Sequence, residues 1–159
     1  MTRQEQITSF GDGNRRLRES LKKYPKEFYS FKPAPEKWSA HEVIVHLADS
    51  EAVGYTRFRR ALAEPGLTVF AYDENKWAKF LRYDEMPTED ALQLFSALRK
   101  ANHTFFASLA DDEWNRTVLH PENGDVALDW QLNHYDEHVD VHIRQIERNW
   151  KAWQEAGKG

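Results

Sequence analysis

The sequence predicts an all-α protein, a four-helix bundle forming a single domain over residues 1–159. Apolar residues recur at helical spacing in four long segments, sustained two-residue alternation is absent, and breaker residues punctuate the chain between those segments. With 159 residues, 40% of them hydrophobic, one core is feasible, since a chain of this size buries roughly 68–70% of its unfolded surface. In such a bundle, ligand sites are built from side chains on facing helices.

The first helix is expected from about Arg3 to Lys23, with Ile7, Phe10, Leu17 and Leu21 on its apolar face and Thr2 and Glu5 as a capping box. Tyr24-Pro25 ends it, and the two further prolines of KEFYSFKPAPEK predict an extended connection. Ser39 and Glu42 form the clearest start signal in the chain, reinforced by Trp38 and Val43 at the two positions of a hydrophobic staple. That second helix should run from Ala40 to about Ala63, where Glu64-Pro65-Gly66 stops it. Asp73 then caps a short helix through Trp77 and Leu81 inside a long crossover. The third long helix starts near Pro87-Thr88, with Glu89 and Asp90 at the positive end of its dipole, and continues to about Leu109. A loop with an Asn123-Gly124 turn follows, in which RTVLH is the only short strand candidate. The last helix is expected from about Val126 to Ala156, with Gly157 just past its end.

Composition narrows the chemistry. Lys and Arg number 22 against 26 Asp and Glu, so no basic field invites nucleic acid. No apolar run approaches a bilayer's thickness and the N-terminal stretch is polar, so the expectation is a cytoplasmic protein without membrane contact. Cysteine is absent, which excludes disulfides, thiolate ligands and a cysteine nucleophile; a metal site must use His and carboxylates.

The last helix is the informative one. With successive residues about 100° apart, Leu132, Tyr135, Val139, Ile143, Ile146, Trp150 and Trp153 form a core arc, and Asp136, Glu137, Asp140, Arg144, Glu147 and Arg148 a solvent arc. Between them lie Gln131, His134, His138, His142, Gln145 and Asn149, all polar and none permanently charged. A helix grading from core to surface shows such a stripe, and so does one lining a wet or ligand-bearing interior, where fixed charges are costly. Histidines four residues apart sit about 6 Å apart along the axis and can meet one ion, whereas His134, His138 and His142 spread over about 12 Å and cannot all converge. A remaining ligand must come from elsewhere, and His46 lies at the edge of the second helix's core face. His41 reads as a surface residue, His103 and His120 have no partner at ligand spacing, and Glu51 is explained by the arginines that follow it. HVDVH lacks the glutamate that follows the first histidine in the zinc-protease motif, and Asp140 points to solvent.

Trp38-Ser39, His46-Leu47-Ala48-Asp49-Ser50-Glu51, Tyr72-Asp73-Glu74-Asn75-Lys76-Trp77-Ala78 and His138-xxx-His142-xx-Gln145-Ile146, in that order, resemble the DinB/YfiT-like superfamily over nearly the whole chain. The resemblance implies an up-down-down-up four-helix bundle, a homodimer, and a divalent metal held by His46, His138 and His142. Zinc is the expected ion, with nickel and iron as alternatives. The family includes transferases that use low-molecular-weight thiols and members described as metal-dependent hydrolases.

Three protein ligands leave an open coordination position, as in catalytic zinc centres, where a bound water or substrate thiol has its pKa lowered. The expected function is therefore a metal-dependent transferase using a low-molecular-weight thiol, or a hydrolase, acting on a small molecule. Tyr72, Trp77 and His134 are expected at its pocket, and Gln145 there or beside the ligands. The alternative is a non-catalytic dimeric bundle that binds a metal or a small molecule.

Overall fold

The computed structural model describes residues 1–157, and the elements follow the sequence signals closely. Helix α1 spans Arg3–Leu21, α2 Ala40–Ala63, α3 Glu74–Phe80, α4 Thr88–Ala107 and α5 Leu128–Glu155. Both predicted capping boxes are present, Thr2 with Glu5 and Ser39 with Glu42, and Asp73 Oδ1 accepts from the Lys76 amide at 3.0 Å. Each such cap satisfies an amide the first turn would otherwise leave without a partner, worth about 1 kcal/mol.

Contacts between helices fix their directions. Arg16 of α1 reaches Asp136 and Asp140 of α5 while Tyr24, just past α1, packs on Trp150, so α1 and α5 run parallel. His41 and Thr88 join the starts of α2 and α4, and Arg59 and Asn102 join their later turns, so these two are also parallel. Asn14 with Ser96 and Phe10 with Phe106 place α1 antiparallel to α4; His46 with His142 and Phe58 with Tyr135 do the same for α2 and α5. The order is up-down-down-up. Because parallel α2 and α4 are neighbours, the chain between them must return the length of the bundle, which accounts for the long crossover carrying α3.

The core divides into two clusters. One, around Leu17, Val43, Leu47, Phe95 and Ile146, gathers Trp150 and Trp153, and the other, around Phe10, Phe58, Phe106 and Leu132, reaches Trp114 and Val118. Gly54 lies between α2 and α5 where a Cβ would come within 2.6 Å of the Tyr135 ring, so only glycine lets that ring lie against α2.

The structure departs from expectation in three places. RTVLH does form a strand, β1 (Thr117–His120), but it pairs antiparallel with β2 (Gly124–Ala127), so Val126 belongs to a hairpin and α5 starts at Leu128. Its turn ends on Gly124 at φ 69°, and residues 66–69 run parallel beside β1 through the Gly66, Leu119 and Val69 amides. His41 is a half-buried tie between helices rather than a surface residue, its ring bonded to Thr88 Oγ1 at 2.6 Å and the Tyr83 carbonyl at 2.8 Å. Glu51 does not pair with the arginines that follow it on α2; it pairs with Arg99 of α4 at 2.6 Å. Among the described residues, no helix is long and apolar enough to cross a membrane.

Candidate metal centre

Antiparallel packing of α2 on α5 brings three imidazoles together midway along the bundle. His46 Nε2 lies 3.3 Å from His138 Nε2, which lies 3.0 Å from His142 Nε2, and ligand atoms of all three sit within 4.8 Å of one another. His46 is fully buried and packs against the Trp38 ring at 4.8 Å; Asn149 Nδ2 donates to the Trp38 carbonyl at 2.9 Å and holds that wall to α5. Trp38 therefore does more than staple the start of α2.

Burial holds His46 far below its ordinary value, at about 3, with the charge of His142 adding to the effect. Burial also lowers His138 well below, and His142 below, the usual imidazole range. All three rings are thus neutral at pH 7, the state in which each offers a lone pair. His142 Nδ1 bonds Gln145 Oε1 at 2.8 Å, so the proton sits on Nδ1 and the Nε2 lone pair faces His138. With that tautomer, a single proton on His138 Nε2 must serve both neighbours, and His46 Nδ1 stays buried without a partner. Three neutral rings cannot satisfy this cluster by hydrogen bonding among themselves.

A cation shared by the three Nε2 atoms removes that conflict. Ligand bonds of about 2.0–2.1 Å meeting at roughly 90–110° put donor nitrogens about 2.8–3.4 Å apart, the spacing of His138 Nε2 to each neighbour, and the three ligand atoms lie within 4.8 Å of one another. The donor set, three neutral imidazoles and no thiolate, suits a divalent transition metal without selecting one.

His138 also lines a cavity of about 220 Å³ between α2, the crossover, the hairpin and α5. Tyr72 and His134 are among its lining residues. His134 is exposed at the rim and stacks on Trp130 at 4.6 Å. Trp77 lies outside the lining, its ring tilted against Tyr72 at 4.3 Å and packed against the core, and Gln145 touches the cluster rather than the cavity. Sequence reasoning missed Ser50, Arg57, His120 and Gln131, all of which the fold brings to the wall. His120, which has no partner at ligand spacing in the sequence, is carried inward by the hairpin, 7% exposed, with Nδ1 accepting from the Glu122 amide at 3.2 Å. His103 stays apart from the cluster, its ring against Gly11. Glu74 Oε1 stands 4.0 Å from His46 Nε2 on the cavity side, and burial together with Asp73 and Glu122 raises its carboxyl.

The family profile of the DinB superfamily matches residues 10–146. A proposed metal-dependent hydrolase of Oceanobacillus iheyensis is 33% identical over 109 residues, 69% of this chain and 63% of its own. One from Bacillus cereus strain B4264, also named as a proposed metal-dependent hydrolase, is 30% identical over 118 residues, 71% of this chain and 68% of its own. The chain thus spans a little under two thirds of the first of these relatives. Among solved structures, YfiT from Bacillus subtilis, described as a metal-dependent hydrolase by proposal and as a four-helix bundle of unusual topology, superposes with a TM-score of 0.86 at 22% identity over 99% of this chain and 89% of its own. A mycothiol-dependent maleylpyruvate isomerase shares the fold at a TM-score of 0.74 and 13% identity, covering 92% of this chain and 61% of that one. With its sequence matched over most of its length and its bundle topology shared, the chain belongs to the DinB superfamily.

Proposed function

We propose that the protein is a metal-dependent enzyme in which His46, His138 and His142 hold one divalent ion and the adjoining cavity receives a small-molecule substrate. The observation that carries this reading is the double position of His138, whose Nε2 lies within 3.3 Å of both other imidazoles while the residue lines the 220 Å³ cavity. A metal-binding group walled off from solvent would suit a structural role; one that shares a side chain with a cavity suits chemistry on what enters it.

A divalent ion there would supply Lewis acidity to a water or thiol reaching its open side. The chain's own residues do the rest. His142 presents its lone pair because Gln145 takes its other proton, and Trp38 shields His46 from water. Glu74, on the cavity side, orients the incoming nucleophile by accepting its hydrogen bond. Tyr72, whose phenolic pKa is raised by burial above its ordinary value, offers a donor in the same lining. With no cysteine in the chain, a sulfur nucleophile must arrive with a cosubstrate. Hydrolysis is the reaction named for the relatives, and a mycothiol-dependent isomerisation that of the neighbour; an ion held here would activate water for a hydrolysis or a thiol for a transfer.

Elemental analysis of the purified protein, with turnover assays on activated esters and on thiol and electrophile pairs, tests the proposal. About one divalent ion per chain is expected, falling to a small fraction in His142→Ala with helical content retained. Undiminished metal in that variant rejects the ligand assignment. Metal-replete protein inert across both panels rejects the enzyme in favour of a binding bundle.

A further inference from the structure

The cavity beside the histidine cluster contains two polar groups that neither the fold nor the metal reading uses. Arg57, one and a half turns before the end of α2, lines it with a guanidinium that forms no ion pair among the described residues. Its Nη2 donates to the Phe70 carbonyl at 2.7 Å and the Tyr135 hydroxyl is its other polar neighbour, both of them neutral. Its Nε is buried and has no partner. The other group is Gln131 on α5, 1% exposed, whose Nε2 donates to the Val126 carbonyl at 3.3 Å while its Oε1 is buried without a donor.

Leaving these atoms unsatisfied is costly in a folded protein, on the order of 1–3 kcal/mol for a buried polar group and more beside a charge. The guanidinium charges of other inward-packed arginines are met by carboxylates: Arg99 by Glu51, Arg16 by Asp136 and Asp140. Arg57 is also the charge that the cavity's own side chains feel, since it bears on Tyr72, His120, His134 and Tyr135. Glu74 and Glu122 share the lining, and neither comes within ion-pair distance of the guanidinium.

We propose that the substrate of this site is a small carboxylate-bearing molecule, its carboxylate seated on Arg57 and an adjacent N–H or O–H donating to Gln131 Oε1, with its far end directed to His138. A planar guanidinium matches a carboxylate with paired N–H donors, and a buried amide oxygen selects a donor by rejecting analogues that lack one. The small volume of the cavity admits a metabolite fragment rather than a polymer. The proposal rests on reading the cluster and the cavity as one active site, but the carboxylate contact itself needs no metal.

N-acetylglycine, which places an amide N–H beside a carboxylate, is the probe, with N-acetylglycinamide as its uncharged counterpart. Binding is followed by calorimetric titration on the protein as purified and again after chelation, with metal content measured on the same samples. Wild type is expected to bind the acid at least 10-fold more tightly than the amide in both forms. Arg57→Met should lose that preference, Arg57→Lys should keep part of it, and Gln131→Leu should weaken the acid by about 10-fold, each with wild-type helical content. Equal affinity of wild type and Arg57→Met for the acid, no preference over the amide, or no binding of the acid at all overturns the proposal. A preference that survives chelation, in a protein whose metal content does not depend on His142, would uphold the carboxylate site while removing the metal reading, so the two fail separately.

Discussion

Two polar clusters are buried in this bundle on neighbouring turns of the same helices, and they are finished in opposite ways. In the first, Glu51 of α2 meets Arg99 at 2.6 Å and Asn102 Nδ2 at 2.8 Å, while Arg99 also donates to the Phe10 and Tyr135 carbonyls and Arg59 closes on Asn102 Oδ1 at 2.9 Å. All four long helices contribute, and Arg99 Nε is the one side-chain atom of the Glu51 and Arg99 pair left without a partner. In the second, one turn earlier on α2, the Nε2 atoms of His46 and His142 both face that of His138, where one proton cannot serve both, and His138 opens onto a cavity. A polar cluster whose bonds are made among its own members locks helix positions; one whose bonds are not is shaped to receive something. Burial acts on both, pushing the Glu51 carboxyl up and the Arg99 guanidinium down against each other's charge, and driving the imidazoles neutral. Only the closed cluster has an internal answer to that cost.

The comparison breaks first on stability. Glu51→Ala should destabilise the fold by about 3–5 kcal/mol in denaturant titrations, because Arg99 is left charged, buried and unpaired. Replacing both partners in a Glu51→Met, Arg99→Met double variant should recover much of that loss, and the folded fraction should keep its metal. If the single variant costs under about 1 kcal/mol, the pair is not the clamp described here.

A smaller effect sharpens the open cluster. Gln145→Leu removes the acceptor that keeps the His142 proton on Nδ1, and metal affinity measured by competition with a chromophoric chelator should fall about 10–100-fold with helical content unchanged. Unaltered affinity would mean that packing alone orients the ring.

The third test reads the pH dependence of the metal-free protein. Between about 3 and the ordinary 6.5, the unfolded chain carries a proton on His46 that the folded chain does not, so stability falls as the solution is acidified through that window. The full contribution is present above 6.5. His46→Gln should flatten the slope by about 1.4 kcal/mol per pH unit, read as the difference between the two proteins so that titrating carboxylates cancel. Coincident slopes would show that His46 is not held neutral.

Legibility in the sequence followed the range of the interactions. The limits of α2 could be read because a capping box, a staple and a Pro-Gly stop are all local, and Ala40–Ala63 is the observed span. The start of α5 could not, because the Asn123-Gly124 turn marks a break without showing whether strand or helix follows, and the strand pairing of Val118 with Val126 takes Val126 into the hairpin. The same contrast holds among polar residues. The turn-spaced pair His138 and His142 stands out on a helical wheel, whereas His41 and Glu51 find their partners on α4, 47 and 48 residues away in the chain, and nothing near them announces it.

What the sequence determined by itself was the set of helices, the neutral polar stripe on the last of them, and the absence of any thiolate ligand, since each depends on residues a few positions apart or on composition alone. What the tertiary structure decided was which way the helices run, and therefore that His46 faces His138 rather than solvent, that Glu51 finds Arg99, and that Arg57, His120 and Gln131 share one cavity. The reason is physical. Periodicity and capping are written into neighbouring residues, but a site assembled across α2, the crossover, a hairpin and α5 exists only once burial of the apolar faces has fixed how those segments pack.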